Sequence, residues 1–120
     1  MSLATFEAPQ GRHLADGRRL HLHQGPIDLV VEVFGEADQI AAAYDLAKTR
    51  FQTILAELVA ELPRLKLPVG NGDAPFEGAV ARRMAGAVAG FPGPFITPMA
   101  AVAGAVADEI LDAMRAGADL

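Results

Sequence analysis

Gly17 to Phe34 reads GRRLHLHQGPIDLVVEVF, and the alternation within it decides the fold. Leu20 and Leu22 fall on one side of an extended strand, with Arg19, His21 and His23 on the other. Gln24-Gly25-Pro26 breaks the run as a tight connection. Ile27, Leu29, Val31 and Val33 then form an apolar face opposite Asp28, Val30, Glu32 and Phe34. This predicts a β-hairpin with one buried face. On its polar face Arg19 or the histidines are placed to pair with Asp28 and Glu32 across the strands. Ala4 to Leu14 is expected to add a short edge strand.

Working outward, Gly35 ends the second strand, and Glu36 and Asp38 supply negative charge where a helix begins. Ile40, Tyr44, Ala47, Phe51, Ile54, Leu55, Leu58 and Leu62 recur at helical spacing. They predict one helix from Glu36 to Leu62, roughly 40 Å long. Pro63 is expected to stop it, because the residue before a proline is pushed out of the helical region. Leu67 to Pro75 reads as an internal loop. A second helix is predicted from Glu77 to about Ala89, with Val80, Met84 and Val88 on its apolar side, ended by Gly90, Pro92, Gly93 and Pro94. A third is capped by Thr97, with Pro98 at its first position, and runs to about Ala116. Tyr44 and the phenylalanines read as core. The expected fold class is therefore α+β: an antiparallel hairpin or small sheet packed by a long helix and two further helices, in one domain spanning residues 1–120. So few strands leave helix surface uncovered, so the chain is expected to be part of a longer protein or to form a homo-oligomer.

Composition narrows the function. The net charge is −5 with no basic stripe, which argues against nucleic acid as a partner. No run reaches the roughly eighteen apolar residues of a membrane span, and nothing resembles a signal peptide. With 0 cysteines there is no disulfide framework and no thiolate metal site, which fits a reducing cytoplasm. No Ser-His-Asp or Cys-His set and no phosphate-binding glycine motif can be assembled.

The third helix has one flank almost bare of side chains: Ala100, Ala101, Ala103, Gly104, Ala105 and Ala107. Such a flank admits a close backbone or a flat ligand. Val102, Val106, Ile110 and Met114 form its apolar stripe. Thr97 is first an N-cap; the functional alternative places an anion at the free N–H groups of Met99, Ala100 and Ala101. Gly104 is first a packing glycine, and Asp108 a solvated carboxylate one turn further on. Arg82 and Arg83 read as a solvated turn, with a phosphate clamp as the alternative. Asn71-Gly72-Asp73 has the composition of an anion nest or a surface loop. His21 and His23 share a strand face, but two ligands without a fixed third do not make a metal site.

The segments GRRLHLHQGPIDLVVEVFGE, VARRMAGAV and FITPMAAVAGAVADEIL resemble an uncharacterised family of ApbE-like proteins. The resemblance runs from about Gly17 to the C-terminus and implies a T-fold-like α+β architecture related to FAD:protein FMN transferases. Those enzymes use a divalent metal, usually magnesium, to move FMN from FAD to a protein. Their helix motif Ala-Lys-Gly-Tyr-Ala-Val-Asp is matched here at Gly104 and Asp108, while Ala103 and Ala105 stand at its lysine and tyrosine positions. The resemblance implies FAD or FMN with Mg2+ as cofactor, held near Thr97, Met99, Ala100, Gly104 and Asp108 with Arg82 and Arg83. Two expectations follow: a flavin- or nucleotide-binding protein with transferase-like chemistry, or a non-enzymatic oligomeric binding or assembly module.

Overall fold

The computed structural model describes residues 6–68, 74–91 and 96–120. The start of the edge strand expected from Ala4, the Asn71-Gly72-Asp73 loop and the Pro92-Gly93-Pro94 stop lie outside them. The chain is α+β and divides into two compact units, Met1–Leu55 with Ile110–Leu120, and Ala56–Glu109.

The first unit holds a three-stranded antiparallel sheet in the order β1-β2-β3, with β1 Gln10–His13, β2 Leu20–Gln24 and β3 Ile27–Val31. The hairpin is as the alternation requires. Leu20 and Leu22 are fully buried and Val31 nearly so, while Asp28 and Val30 face out. Each leucine removed from water contributes roughly 1.5–3 kcal/mol. The turn is two residues, Gly25 and Pro26. Gly25 has φ +54, which suits the first position of a primed hairpin turn, and Pro26 is held at negative φ. This turn sets the register: Gln24 opposite Ile27, His23 opposite Asp28, His21 opposite Val30. β1 lies on the other side of β2, with Arg12 opposite His21 and Gln10 opposite His23.

Helix α1 spans Ala37–Phe51 and buries Ala43, Tyr44, Ala47 and Phe51. The alanines let it sit close to β2. Asp38 in its first turn and Lys48 and Arg50 in its last suit the helix dipole. The single long helix expected to Leu62 does not form. The chain turns at Gln52 and Thr53 and restarts as α2 Ile54–Ala60. Gln52 causes this locally. Its backbone N–H turns to the Thr49 carbonyl at 3.3 Å, and its side-chain amide donates to the Lys48 carbonyl at 3.3 Å, replacing the helical bond there. Pro63 likewise does not end a helix. It stands in the first turn of α3, Leu62–Leu65, where its missing N–H costs nothing.

The tail of the chain is tied to α1. Gln39 Oε1 accepts the Asp119 N–H at 2.7 Å, and Gly117 lies against Leu46.

In the second unit α4 runs Ala79–Val88 and buries Val80, Ala81, Met84 and Val88, the predicted stripe. It packs on a 3-10 turn, Pro98–Ala101, in which Pro98 is fully buried. Glu61 reaches the start of α4: its carboxylate accepts the Glu77 N–H at 2.8 Å and the Gly78 N–H at 3.0 Å. The Arg64 guanidinium lies 4.3 Å over the Phe76 ring. Helix α5 spans Val102–Arg115, residues up to Glu109 in the second unit and the rest in the first. Val106, Ile110 and Met114 are buried, as its stripe predicts.

Two further expectations are corrected. Thr97 occupies the cap position with extended backbone, but its hydroxyl makes no capping bond; the Ala100 N–H goes to the Thr97 carbonyl at 3.0 Å, and the first turn is 3-10. Phe51 and Phe76 are core, whereas Phe34 is 73% exposed and Phe91 67%. Among the described residues no helix is long and apolar enough to cross a membrane.

Candidate functional site: a cleft beside α1

The first unit carries a cleft of about 430 Å³ between the β1–β2 turn, the segment leaving β3, and α1. Three local features shape it. Asp16 folds the β1–β2 turn: Oδ1 accepts the Arg18 N–H at 2.9 Å and the Arg19 N–H at 3.1 Å, and Oδ2 takes the Arg19 Nε at 2.7 Å. The backbone donors, that of Arg18 first, hold the Asp16 carboxyl well below the usual carboxylate range. Arg19 is thereby paired with Asp16, not with Asp28 or Glu32 across the hairpin. Gly17, at φ +72, closes the turn and presents Arg18 to the cleft.

Tyr44 forms the base. It is 3% exposed, yet its hydroxyl lies between two backbone groups, donating to the Arg18 carbonyl at 2.5 Å and accepting the Val33 N–H at 3.4 Å. The His13 ring meets the Tyr44 ring edge-on at 5.6 Å. Val33, Phe34, Ile40 and Ala41 give the cleft an apolar wall.

Lys48 supplies the second cation. Its stem passes so close to Gly11 that a Cβ there would meet Lys48 Cγ at 2.8 Å. Its ammonium lies 3.6 Å from Asp45, a loose surface pair. The margin carries both signs of charge, Arg18 and Lys48 with Glu32 and Asp45; such a rim on an apolar wall can hold a small molecule with a flat body and an anionic group at the cations. The Tyr44 hydroxyl is spent on backbone groups.

The residues singled out from sequence lie elsewhere, in the second unit. Thr97, Met99 and Ala100 sit at and on the 3-10 turn. Gly104 and Asp108 are exposed on α5, and a Cβ at Gly104 would meet nothing within 4 Å among the described residues. Ala100, Ala103 and Ala107 are also exposed; Ala105 is buried. Arg82 is exposed, while Arg83 Nε donates to Glu109 at 3.1 Å, linking α4 to α5.

Two arrangements escaped the sequence reading. The cleft depends on Arg18, Phe34 and Lys48, and its one legible sign was an aromatic at a strand end directly before Gly35. On the outer sheet face, Asp28 touches His21, and His21, His23 and Asp28 each bring a ligand atom within 4.8 Å of the others. The two-residue turn already implies that Asp28 faces His23.

The chain belongs to the AbpE bacteria family, whose model matches residues 11–120. This overturns the resemblance to ApbE-like proteins: the family matched is not one of FMN transferases. The transfer of a flavin motif onto Gly104 and Asp108 loses its support with it. No curated protein matches the chain. No solved structure matches it either.

Proposed function

We propose that this member of the AbpE bacteria family is a binding module whose first unit takes a small anionic ligand with a flat apolar body. One observation carries the reading: the cleft of about 430 Å³ joins an apolar wall at Val33, Phe34 and Ile40 to a rim that holds the cations Arg18 and Lys48 beside the carboxylates Glu32 and Asp45. Its volume falls within the roughly 300–1,000 Å³ of small-molecule sites. The exposed Phe34 ring offers a stacking surface at the mouth; Arg18 and Lys48 would donate to a carboxylate or phosphate, and Glu32 and Asp45 would accept from the ligand's own donors.

The test is thermal-shift titration with aromatic carboxylates, mononucleotides, FMN, and FAD with and without Mg2+. An anionic aromatic should raise the melting temperature in a concentration-dependent way, and Lys48→Met should weaken that response. No stabilisation by any of these ligands, or a response indifferent to Lys48→Met, rejects the cleft. A flavin response lost in Gly104→Leu but kept in Lys48→Met would place the ligand on α5 instead.

Self-association through α5 is the second reading, favoured by the exposed run Ala100, Ala103, Gly104 and Ala107. Light scattering after size exclusion on Gly104→Leu tests it. An oligomer broken by the substitution supports it, and a wild-type monomer removes it.

A further inference from the structure

We propose that His21, His23 and Asp28 form a solvent-facing site for a divalent transition-metal ion of the zinc class. The site shares no residue with the cleft and does not depend on it.

The register of the hairpin builds the site. His21 and His23, two apart on the central strand β2, project from the face opposite Leu20 and Leu22. Asp28 lies on the edge strand β3, directly opposite His23 and diagonal to His21. Diagonal neighbours are within reach of long side chains, so one carboxylate can serve both histidines. Their ligand atoms all lie within 4.8 Å of one another. Donors around a single tetrahedral zinc are roughly 3.3 Å apart, given metal–ligand lengths near 2.0–2.2 Å. Small side-chain rotations therefore convert the cluster into a coordination set.

Three details favour a metal over a plain ion pair. The His21 Nε2 and Asp28 Oδ1 atoms are in direct contact, so acceptor and imidazole already converge on one point. His23 adds a nitrogen that the pair leaves unused: its Nδ1 is buried and has no hydrogen-bond partner among the described residues. Two arginines neighbour His21 and both are engaged elsewhere: Arg12, opposite it, donates to Gln10 Oε1, and Arg19, two residues before it, is paired with Asp16. Two imidazoles and a carboxylate suit zinc, nickel or copper, not magnesium or calcium, and leave the fourth position to water. His21 is 29% exposed and Asp28 65%, which gives an ion a way in.

The test is zinc titration of the tag-free chain against a chromophoric chelator, with the imidazole nitrogen resonances followed in parallel. The wild type should take up one zinc per chain. His21→Gln, His23→Gln and Asp28→Asn should each weaken uptake at least about tenfold, the loss that removing even an outer-sphere partner causes. His13→Gln should not weaken it, since His13 belongs to the opposite face. On zinc addition the His21 and His23 nitrogens should shift and those of His13 stay. Absence of stoichiometric uptake, unchanged affinity in any of the three variants, or shifts spread equally over all three histidines overturns the site. Should a variant fail to fold, the wild-type resonances alone decide.

Discussion

The Tyr44 hydroxyl donates to the Arg18 carbonyl at 2.5 Å across 26 residues of sequence, joining α1 to the β1–β2 turn. The same oxygen accepts the Val33 N–H beyond β3. A single buried side chain therefore fixes the three backbone segments around the cleft. Tyr44→Phe keeps the ring and strands both backbone partners. The expected cost is about 1–3 kcal/mol in denaturant unfolding, because orphaned buried polar groups carry their desolvation penalty. Ligand-induced stabilisation should shrink as well, since Arg18 keeps its bond to Asp16 but loses the one to Tyr44. An unchanged midpoint in urea would show that water replaces the hydroxyl without cost.

Asp16 gives the chain a signature in acid. Its pKa in the folded state is depressed, chiefly by the Arg18 N–H. A group of this kind stabilises the fold above its unfolded value, near pH 4, and that contribution is lost as pH falls through the lower folded value. Asp16→Asn removes the titration. The melting temperature of the wild type should exceed that of Asp16→Asn by a constant margin above about pH 5, and the two should converge below pH 4. A margin independent of pH down to pH 2 contradicts the assignment.

In the second unit, the Glu61 carboxylate takes the place of a cap. Gly78 stands at the N-cap of α4 with no side chain to offer, and Glu61 accepts its N–H from seventeen residues away in sequence and that of Glu77 from sixteen. Glu61→Ala should cost about 0.5–2 kcal/mol, the value of a helix cap, and raise hydrogen exchange in the first turn of α4. Uniform exchange change along the helix would point to a global effect instead.

The elements that were legible share one property: a single face is buried. Leu20, Leu22 and Val31 report a half-buried hairpin by period two, and Val80, Met84 and Val88 report α4 by period four. The break at Gln52 was hidden because Phe51, Ile54, Leu55 and Leu58 keep helical spacing across it. Periodicity follows burial and does not register an amide that takes the Lys48 carbonyl from the backbone. The cleft was hidden for a related reason. Arg18, Phe34 and Lys48 come from three separated segments, which the Tyr44 bonds tie together. The α5 flank drew notice through composition, and composition does not say whether a bare surface is covered.

Gly104 makes that last point measurable. It sits in α5 with open space where a Cβ would be, and its backbone is ordinary helix. Among the described residues nothing rewards the missing side chain, and glycine inside a helix is about 1 kcal/mol worse than alanine. Gly104→Ala should therefore stabilise the monomeric chain by up to about 1 kcal/mol, read as a rise in melting temperature at low protein concentration. The concentration series carries the discrimination. If α5 packs on a second copy through this flank, the gain should vanish or reverse as concentration rises, because the added methyl then meets another backbone. A gain that persists at every concentration leaves the flank in water and removes the assembly reading.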